Sequence, residues 1–139
     1  MGKNILQSPT GQGVRVDNMG DGHYGAQRNR NGHTYPHKGV DFLCKPGQSV
    51  VSPISGTITR LARPYSKGPY SGCVIENKKI KIKMFYVDVP PQAAGKAVFR
   101  GEHIGIAQDI SLKYGREMKP HIHMQVERVD PELLLQEGL

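Results

Sequence analysis

Apolar residues in this chain occur in short runs, and most of these runs alternate with polar residues or end at Gly and Pro turns. This pattern predicts strands, because alternate residues of a strand face opposite sides of a sheet. The predicted strands are residues 39–43, 49–51, 56–62, 73–76, 80–87, 103–107 and 121–129. Many short strands at this spacing predict a mainly β fold with antiparallel sheets, arranged as a sandwich or a partly open barrel.

The two ends of the chain differ from this middle region. Residues 1–35 are polar and rich in glycine, so we expect little regular structure there and an irregular N-terminal arm over residues 1–23. At the other end, Asp130 can cap a short helix that begins with Pro131 and continues over residues 132–136. No linker or repeat divides the 139 residues, which predicts a single domain over residues 1–139.

Charge and cysteine content narrow the function classes. The formal net charge of +7 predicts attraction to polyanions or to an acidic matrix. In the densest basic run, Lys81 and Lys83 alternate with apolar residues, as on the solvated face of a strand. No aromatic stacking platform accompanies them, so we do not expect nucleic-acid binding. Cys44 and Cys73 allow one disulfide at most. No segment has the length of a membrane span or the apolar core of a signal peptide.

A histidine and a carboxylate four residues apart, His37 and Asp41, form the first candidate for metal chemistry. On a straight strand their side chains would share a face but stand roughly 13 Å apart. Both can bind one ion only if the backbone bends. Pro36 and Gly39 favour a kinked entry into a strand, because Gly tolerates the backbone dihedrals of a tight bend.

The second candidate is the His121-Ile-His123 sequence in the last predicted strand. Alternation places both imidazoles on one face of the sheet, together with Gln125 and Glu127. The pair can supply one metal ligand and one neighbouring acid or base, or two metal ligands. Two imidazoles and one carboxylate suit Zn²⁺, and three protein ligands leave the fourth position open, as in catalytic zinc sites.

In this chain order, the two motifs resemble the HxxxD and HxH signatures of the lysostaphin-type zinc endopeptidases, which cut peptide cross-links in bacterial cell walls. The resemblance covers about residues 24–135 and includes the sequences GAQR (25–28) and GEHIG (101–105). It implies an antiparallel sheet that forms an open groove with the metal at its floor. It further implies that His37, Asp41 and His123 are the Zn²⁺ ligands and that His121 is a catalytic histidine.

The sequence also resembles the vertebrate leukocyte cell-derived chemotaxin 2 family, through residues 24–28, 37–44 and 83–86. Members of that family are zinc-binding signalling proteins of the same fold without established wall-cutting activity. One departure from the peptidases bears on the choice between the two. The peptidases usually carry a histidine two residues after a strand tyrosine, in the pattern Tyr-x-His-Leu, whereas here Asp88 follows Tyr86 at that spacing.

An ionised Asp88 cannot donate a hydrogen bond to a developing oxyanion. Activity then requires a protonated Asp88, a tyrosine donor such as Tyr86 or Tyr114, or a histidine from a loop. We expect the remaining histidines to be surface or loop residues; they are His23, His33 and His103. Arg28 can either pin the N-terminal arm or bind a substrate carboxylate.

We therefore expect a zinc-dependent metalloendopeptidase that hydrolyses peptide bonds of bacterial peptidoglycan. The alternative is a catalytically silent, chemotaxin-like recognition protein that binds zinc. The expected partners are peptidoglycan peptide cross-links or another acidic cell-wall surface, and we expect a monomer. The expected site of action is extracytoplasmic, in the periplasm, the cell wall or a phage particle, although the sequence shows no signal peptide.

Overall fold

The computed structural model describes residues 5–135, which form thirteen strands, two short α-helices and one 3-10 turn. The strands are β1 (Val16–Asp17), β2 (Gly20–Asp21), β3 (Gln27–Arg30), β4 (His33–Pro36), β5 (Val40–Leu43), β6 (Ser49–Val51), β7 (Gly56–Ala62), β8 (Gly72–Glu76), β9 (Ile80–Phe85), β10 (Val87–Asp88), β11 (Ala97–Val98), β12 (His103–Ala107) and β13 (His121–Val129). The helices are α1 (Ser111–Tyr114) and α2 (Pro131–Leu135), and the 3-10 turn covers Pro91–Ala93.

Two antiparallel sheets enclose the apolar core. The large sheet has six strands in the order β11-β7-β8-β9-β13-β5, and the small sheet has three in the order β10-β12-β6. Fully buried side chains come from both sheets, including Ile82 and Ile122 from the large one and Val50 and Val87 from the small one. The end strands of the large sheet, β11 and β5, do not pair with each other, so the sheet is open and does not close into a barrel. The mainly β fold agrees with the sequence prediction.

Strand β9 shows the predicted alternation directly. Ile80, Ile82 and Met84 are buried, while Lys81 and Lys83 lie on the half-buried face. The sequence predicts a strand that continues to residue 87, but β9 ends at Phe85. Tyr86 adopts a left-handed backbone with φ of 72°, and the chain passes there into the small sheet as β10.

The expectation of little regular structure before residue 35 is wrong. Strands β1 and β2 pair with each other, and β3 and β4 form a hairpin in which Arg30 lies opposite His33. The residues between that pair, Asn31 and Gly32, have φ of 52° and 81°. Asn-Gly is the preferred sequence for such two-residue hairpin turns, because both central positions need positive φ.

The helical prediction is confirmed at the C-terminus, where the Glu132 amide donates to Asp130 Oδ1 over 3.0 Å and caps α2. Gln136 lies outside the described residues. The single turn α1 was not predicted, because its four residues carry no helical periodicity. Both Cys44 and Cys73 are free, buried thiols. Within residues 5–135, no helix is long and apolar enough to cross a bilayer.

Candidate metal centre

A cavity of about 370 Å³ lies against the face of the large sheet that points away from the core. Side chains of β13 alternate between the apolar core and the cavity. Ile122 and Met124 face the core, whereas His121, His123 and Gln125 line the cavity. This is the face that alternation predicts for both histidines, so the site is built directly on an interior strand of the sheet, next to edge strand β5.

Three predicted ligands meet in this cavity. The donor atoms of His37, Asp41 and His123 all lie within 4.8 Å of one another. His123 Nδ1 is 3.0 Å from Asp41 Oδ1, His37 Nε2 is 3.4 Å from the same oxygen, and the two nitrogens are 3.2 Å apart. Ligands of a tetrahedral zinc ion at about 2.0–2.1 Å are roughly 3.3 Å from each other, so these spacings fit one zinc ion.

The local chain path brings the three side chains together. Asp41 and His123 are directly opposite one another in the β5–β13 ladder. His37 stands in the bend between β4 and β5, where the backbone turns as expected. The reason for Gly39 is different from the one expected, because its φ is not in the left-handed region. A Cβ there would stand 2.5 Å from Met124 O and 2.7 Å from His123 Cε1, so only glycine allows this close approach.

The imidazoles of His37 and His123 are each held from outside the three-donor group. His37 Nδ1 is 3.2 Å from His23 O, and His123 Nε2 is 2.8 Å from Gln125 Oε1. In the neutral tautomers that metal binding requires, each nitrogen donates its N–H to that oxygen, and the lone pair of the other ring nitrogen points into the three-donor group. Two lone pairs facing each other repel unless a cation lies between them. Gln125 is itself oriented by its 3.1 Å hydrogen bond to Glu127.

The two oxygens of Asp41 face different partners. Oδ1 faces His37 and His123, while Oδ2 lies 3.3 Å from Arg15 Nη2 and 3.6 Å from Arg28 Nη2. Without a cation, burial alone would raise the pKa of Asp41, but hydrogen bonds donated by His123 and His37 outweigh it and hold that pKa well below its usual range. The buried carboxyl group is therefore ionised and available to a cation.

Arg15 is a site residue that sequence reasoning missed. It is buried, and its Nη1 also bonds Asp17 Oδ1 at 2.8 Å, so it links the N-terminal segment to Asp41. It stands between Val14 and Val16 and belongs to no metal or ligand motif, so no signal in the sequence marked it. Gln125 was placed on the correct face by alternation, but its contact with His123 was not foreseen.

His121 is outside the three-donor group and has its own free nitrogen. Its Nδ1 donates to Lys119 O over 2.8 Å, and its Nε2 is 3.8 Å from Asp41 Oδ2. Burial lowers the pKa of His121, and it outweighs the opposing attraction of Asp41. A neutral imidazole with an unprotonated Nε2 can accept a proton inside the cavity.

Three tyrosines that line the cavity are joined through their hydroxyl groups; we call Tyr65, Tyr86 and Tyr114 the tyrosine group. Tyr65 Oη is 3.1 Å from Tyr86 Oη and 2.7 Å from Tyr114 Oη. The ring of Tyr86 stands edge-on to His121, with centroids 5.4 Å apart. Burial raises the pKa of Tyr65 and of Tyr86, so both hydroxyls keep their protons at neutral pH.

The other residues considered from the sequence lie elsewhere. Asp88 is exposed on β10 and is not among the described residues that line the cavity, so it cannot serve as the oxyanion donor. His23, His33 and His103 are all exposed, as expected. His23 contributes only its backbone carbonyl to the site.

Residues 35–133 match the family model for peptidase family M23. The chain belongs to peptidase family M23. Among curated M23-like relatives, it is 33% identical over 111 residues to leukocyte cell-derived chemotaxin-2 from Bos taurus, covering 78% of this chain and 69% of the relative. Both resemblances drawn from the sequence are therefore confirmed.

Solved structures with the M23 fold agree with this assignment. A zinc containing peptidase from Vibrio cholerae is 27% identical, with a TM-score of 0.63 over 88% of this chain and 36% of that one. The catalytic domain of lysostaphin from Staphylococcus simulans is 24% identical, with a TM-score of 0.55 over 81% of this chain and 88% of that one. The chain spans about a third of the length of the Vibrio cholerae protein.

Proposed function

We propose that this chain is a zinc-dependent metalloendopeptidase that hydrolyses peptide bonds of bacterial peptidoglycan, with His37, Asp41 and His123 as the zinc ligands. The observation that carries the proposal is the convergence of three donors whose spacings match one zinc ion, with both imidazoles held by outer hydrogen bonds. Membership of peptidase family M23 and likeness to the antimicrobial peptidase lysostaphin support it.

Zinc bound there would supply a Lewis acid that polarises the scissile carbonyl and makes water more acidic. His121 is the general base in this proposal, because its Nδ1 is committed to Lys119 O and its Nε2 is free to accept the proton of the attacking water. The same nitrogen then returns the proton to the leaving amine. The protonated imidazole is stabilised by the nearby Asp41 carboxylate.

The tyrosine group supplies the oxyanion donor in place of the missing histidine. Three hydroxyl groups hold three protons, and the two hydrogen bonds among them use two. One O–H remains for a substrate oxygen. Tyr86 is the proposed donor, because its ring contacts His121 and therefore lies beside the reacting atoms.

Digestion of purified peptidoglycan tests the proposal, with released muropeptides identified by mass spectrometry. We expect products with the zinc-loaded protein and none after chelation. His121→Ala should retain zinc and lose turnover, whereas His103→Ala, which changes an exposed histidine outside the cavity, should match the parent. If His121→Ala digests peptidoglycan at the parental rate, the assigned role of His121 is wrong.

An extracytoplasmic site of action, in the periplasm, the cell wall or a phage particle, and a monomeric state accompany this proposal. The alternative, a chemotaxin-like recognition protein that binds zinc without cutting a bond, is favoured by Asp88 and by the chemotaxin relative. The same digestion distinguishes the two. Zinc retention with no muropeptide release from several peptidoglycans would support the alternative.

A further inference from the structure

The cavity carries an excess of positive charge before any metal is counted. Among residues 5–135, its lining includes four basic side chains and a single carboxylate, that of Asp41. Arg15 is the buried one of the four and is matched by Asp17. We call the other three, Arg28, Arg30 and Lys38, the basic group.

Two members of the basic group have no acidic partner in the described part of the chain. Arg30 and Lys38 are exposed, and neither is in an ion pair. By contrast, Lys83 on the nearby sheet does have an acidic partner, because it pairs with Glu127 at 2.8 Å. Unmatched cations that repel one another around a cavity lower the free energy of an anion placed there.

We propose that the basic group is a binding subsite for a free carboxylate of the peptide substrate, beside the scissile bond. This inference rests on the proposed peptidase function. The carboxylate is the expected ligand because a guanidinium binds it through two parallel hydrogen bonds, and Arg28 and Arg30 present two such groups.

The spacing of the basic group sets the position of that carboxylate. Arg28 is 3.6 Å from Asp41 Oδ2 and therefore reaches the metal centre, whereas Arg30 is two residues further along the same face of β3. Alternate residues of a strand are about 7 Å apart, and an extended peptide advances about 3.4 Å per residue. The bound carboxylate is then about two residues from the scissile carbonyl, and substrates that lack it bind more weakly.

A matched pair of cross-linked muropeptides tests the subsite: one with a free carboxylate two residues from the cross-link bond, and the same molecule with that group converted to a carboxamide. Calorimetry on zinc-loaded His121→Ala protein gives the dissociation constants without turnover. We expect the acid to bind about tenfold more tightly than the amide, because it adds a charge-assisted hydrogen bond. This preference should shrink at high salt.

Two double variants separate a local subsite from bulk charge. Arg30→Gln with Lys38→Gln should bring the acid-to-amide ratio close to one. Arg60→Gln with Lys96→Gln removes the same charge from exposed positions outside the cavity and should keep the ratio. Equal affinity for acid and amide in the parent, or an equal loss of preference in both double variants, would overturn the proposal.

The binding readout separates this inference from the proposed function. Preferential binding of the acid without cleavage by the parent enzyme would leave the subsite standing and refute peptidase activity on that substrate. Cleavage of both muropeptides with equal kcat/KM and equal affinity would support the peptidase and refute the subsite.

Discussion

The basic group and the tyrosine group border the same cavity but are built in opposite ways. The basic group comes from one hairpin and the bend that follows it, and two of its three cations are exposed and have no acidic partner within the described chain. The tyrosine group is gathered from three distant positions in the chain and is tied together by its own hydroxyls.

This difference suggests that the basic group serves substrate binding and the tyrosine group serves the chemical step. Exposed charges are well solvated, so they contribute mainly by attracting and selecting a ligand. Neutral donors held by one another need no reorganisation when negative charge develops beside them, which is the property that transition-state stabilisation requires. Substitutions in the two groups, and at Asp41 between them, test this difference.

The largest effect is expected from Asp41→Asn, which removes the charge at the centre that both groups adjoin. We expect loss of bound zinc, because the ionised ligand is gone. We also expect the free energy of unfolding of the metal-free protein to fall by about 3 kcal/mol, because buried Arg15 loses one of its two carboxylate partners. Elemental analysis after dialysis and denaturant titration measure the two effects.

The matched control for that change is Asp21→Asn, which alters an exposed carboxylate paired with exposed His23. It should stay within about 0.5 kcal/mol of the parent and keep full zinc. Parental zinc content in Asp41→Asn would contradict the assignment of Asp41 as a ligand.

An intermediate effect is expected from Tyr86→Phe, which removes one hydroxyl and keeps the ring against His121. If Tyr86 is the oxyanion donor, kcat should fall about 100-fold while KM and zinc content stay close to parental values. Steady-state kinetics on a peptidoglycan fragment measure this, with Tyr24→Phe as a control because that ring is 75% exposed. A raised KM with unchanged kcat would instead place Tyr86 in substrate binding.

Changes in either group should have their smallest effect on the buried core thiols, whose reactivity neither group should influence. Burial raises the pKa of Cys44 and of Cys73 to about 12, so both thiols stay protonated well above the usual thiol pKa. Their contribution to stability is therefore complete below about pH 8.5 and is lost as the pH rises toward 12.

At pH 8, native protein should react slowly with a thiol reagent and completely after unfolding, and Tyr86→Phe and Arg30→Gln should behave like the parent. Labelling kinetics provide the measurement. Rapid labelling of either thiol in a folded variant would show that the cavity groups and the core are coupled.

Much of the fold could be predicted because its signals are local. Four strands have the bounds that alternation and turn residues predict, namely β6, β7, β12 and β13. Alternation in β13 also put His121 and His123 on one face. The hairpin of β3 and β4 had a local signal too, in Asn31-Gly32, but the surrounding polar residues obscured it.

The parts that could not be predicted depend on contacts between distant segments. Arg15 becomes a site residue only because the N-terminal segment crosses the edge of β5, where its amide donates to Asp41 O over 2.8 Å. The break at Tyr86 depends on Ser71, whose carbonyl accepts from the Tyr86 amide at 2.8 Å. Neither partner is visible in local periodicity. The zinc ligands and the role of His121 remain predictions that the geometry supports.

In the proposed zinc site, the pairing of Asp41 opposite His123 links metal binding to the alignment of β5 with β13. A slip of one residue between β5 and β13 would turn the carboxylate to the other side of the sheet, and a slip of two would carry it past the imidazole. Cation binding then stabilises one register of edge strand β5 over the slipped registers. The correct register of β5 would therefore form most completely when the ion is abundant during folding.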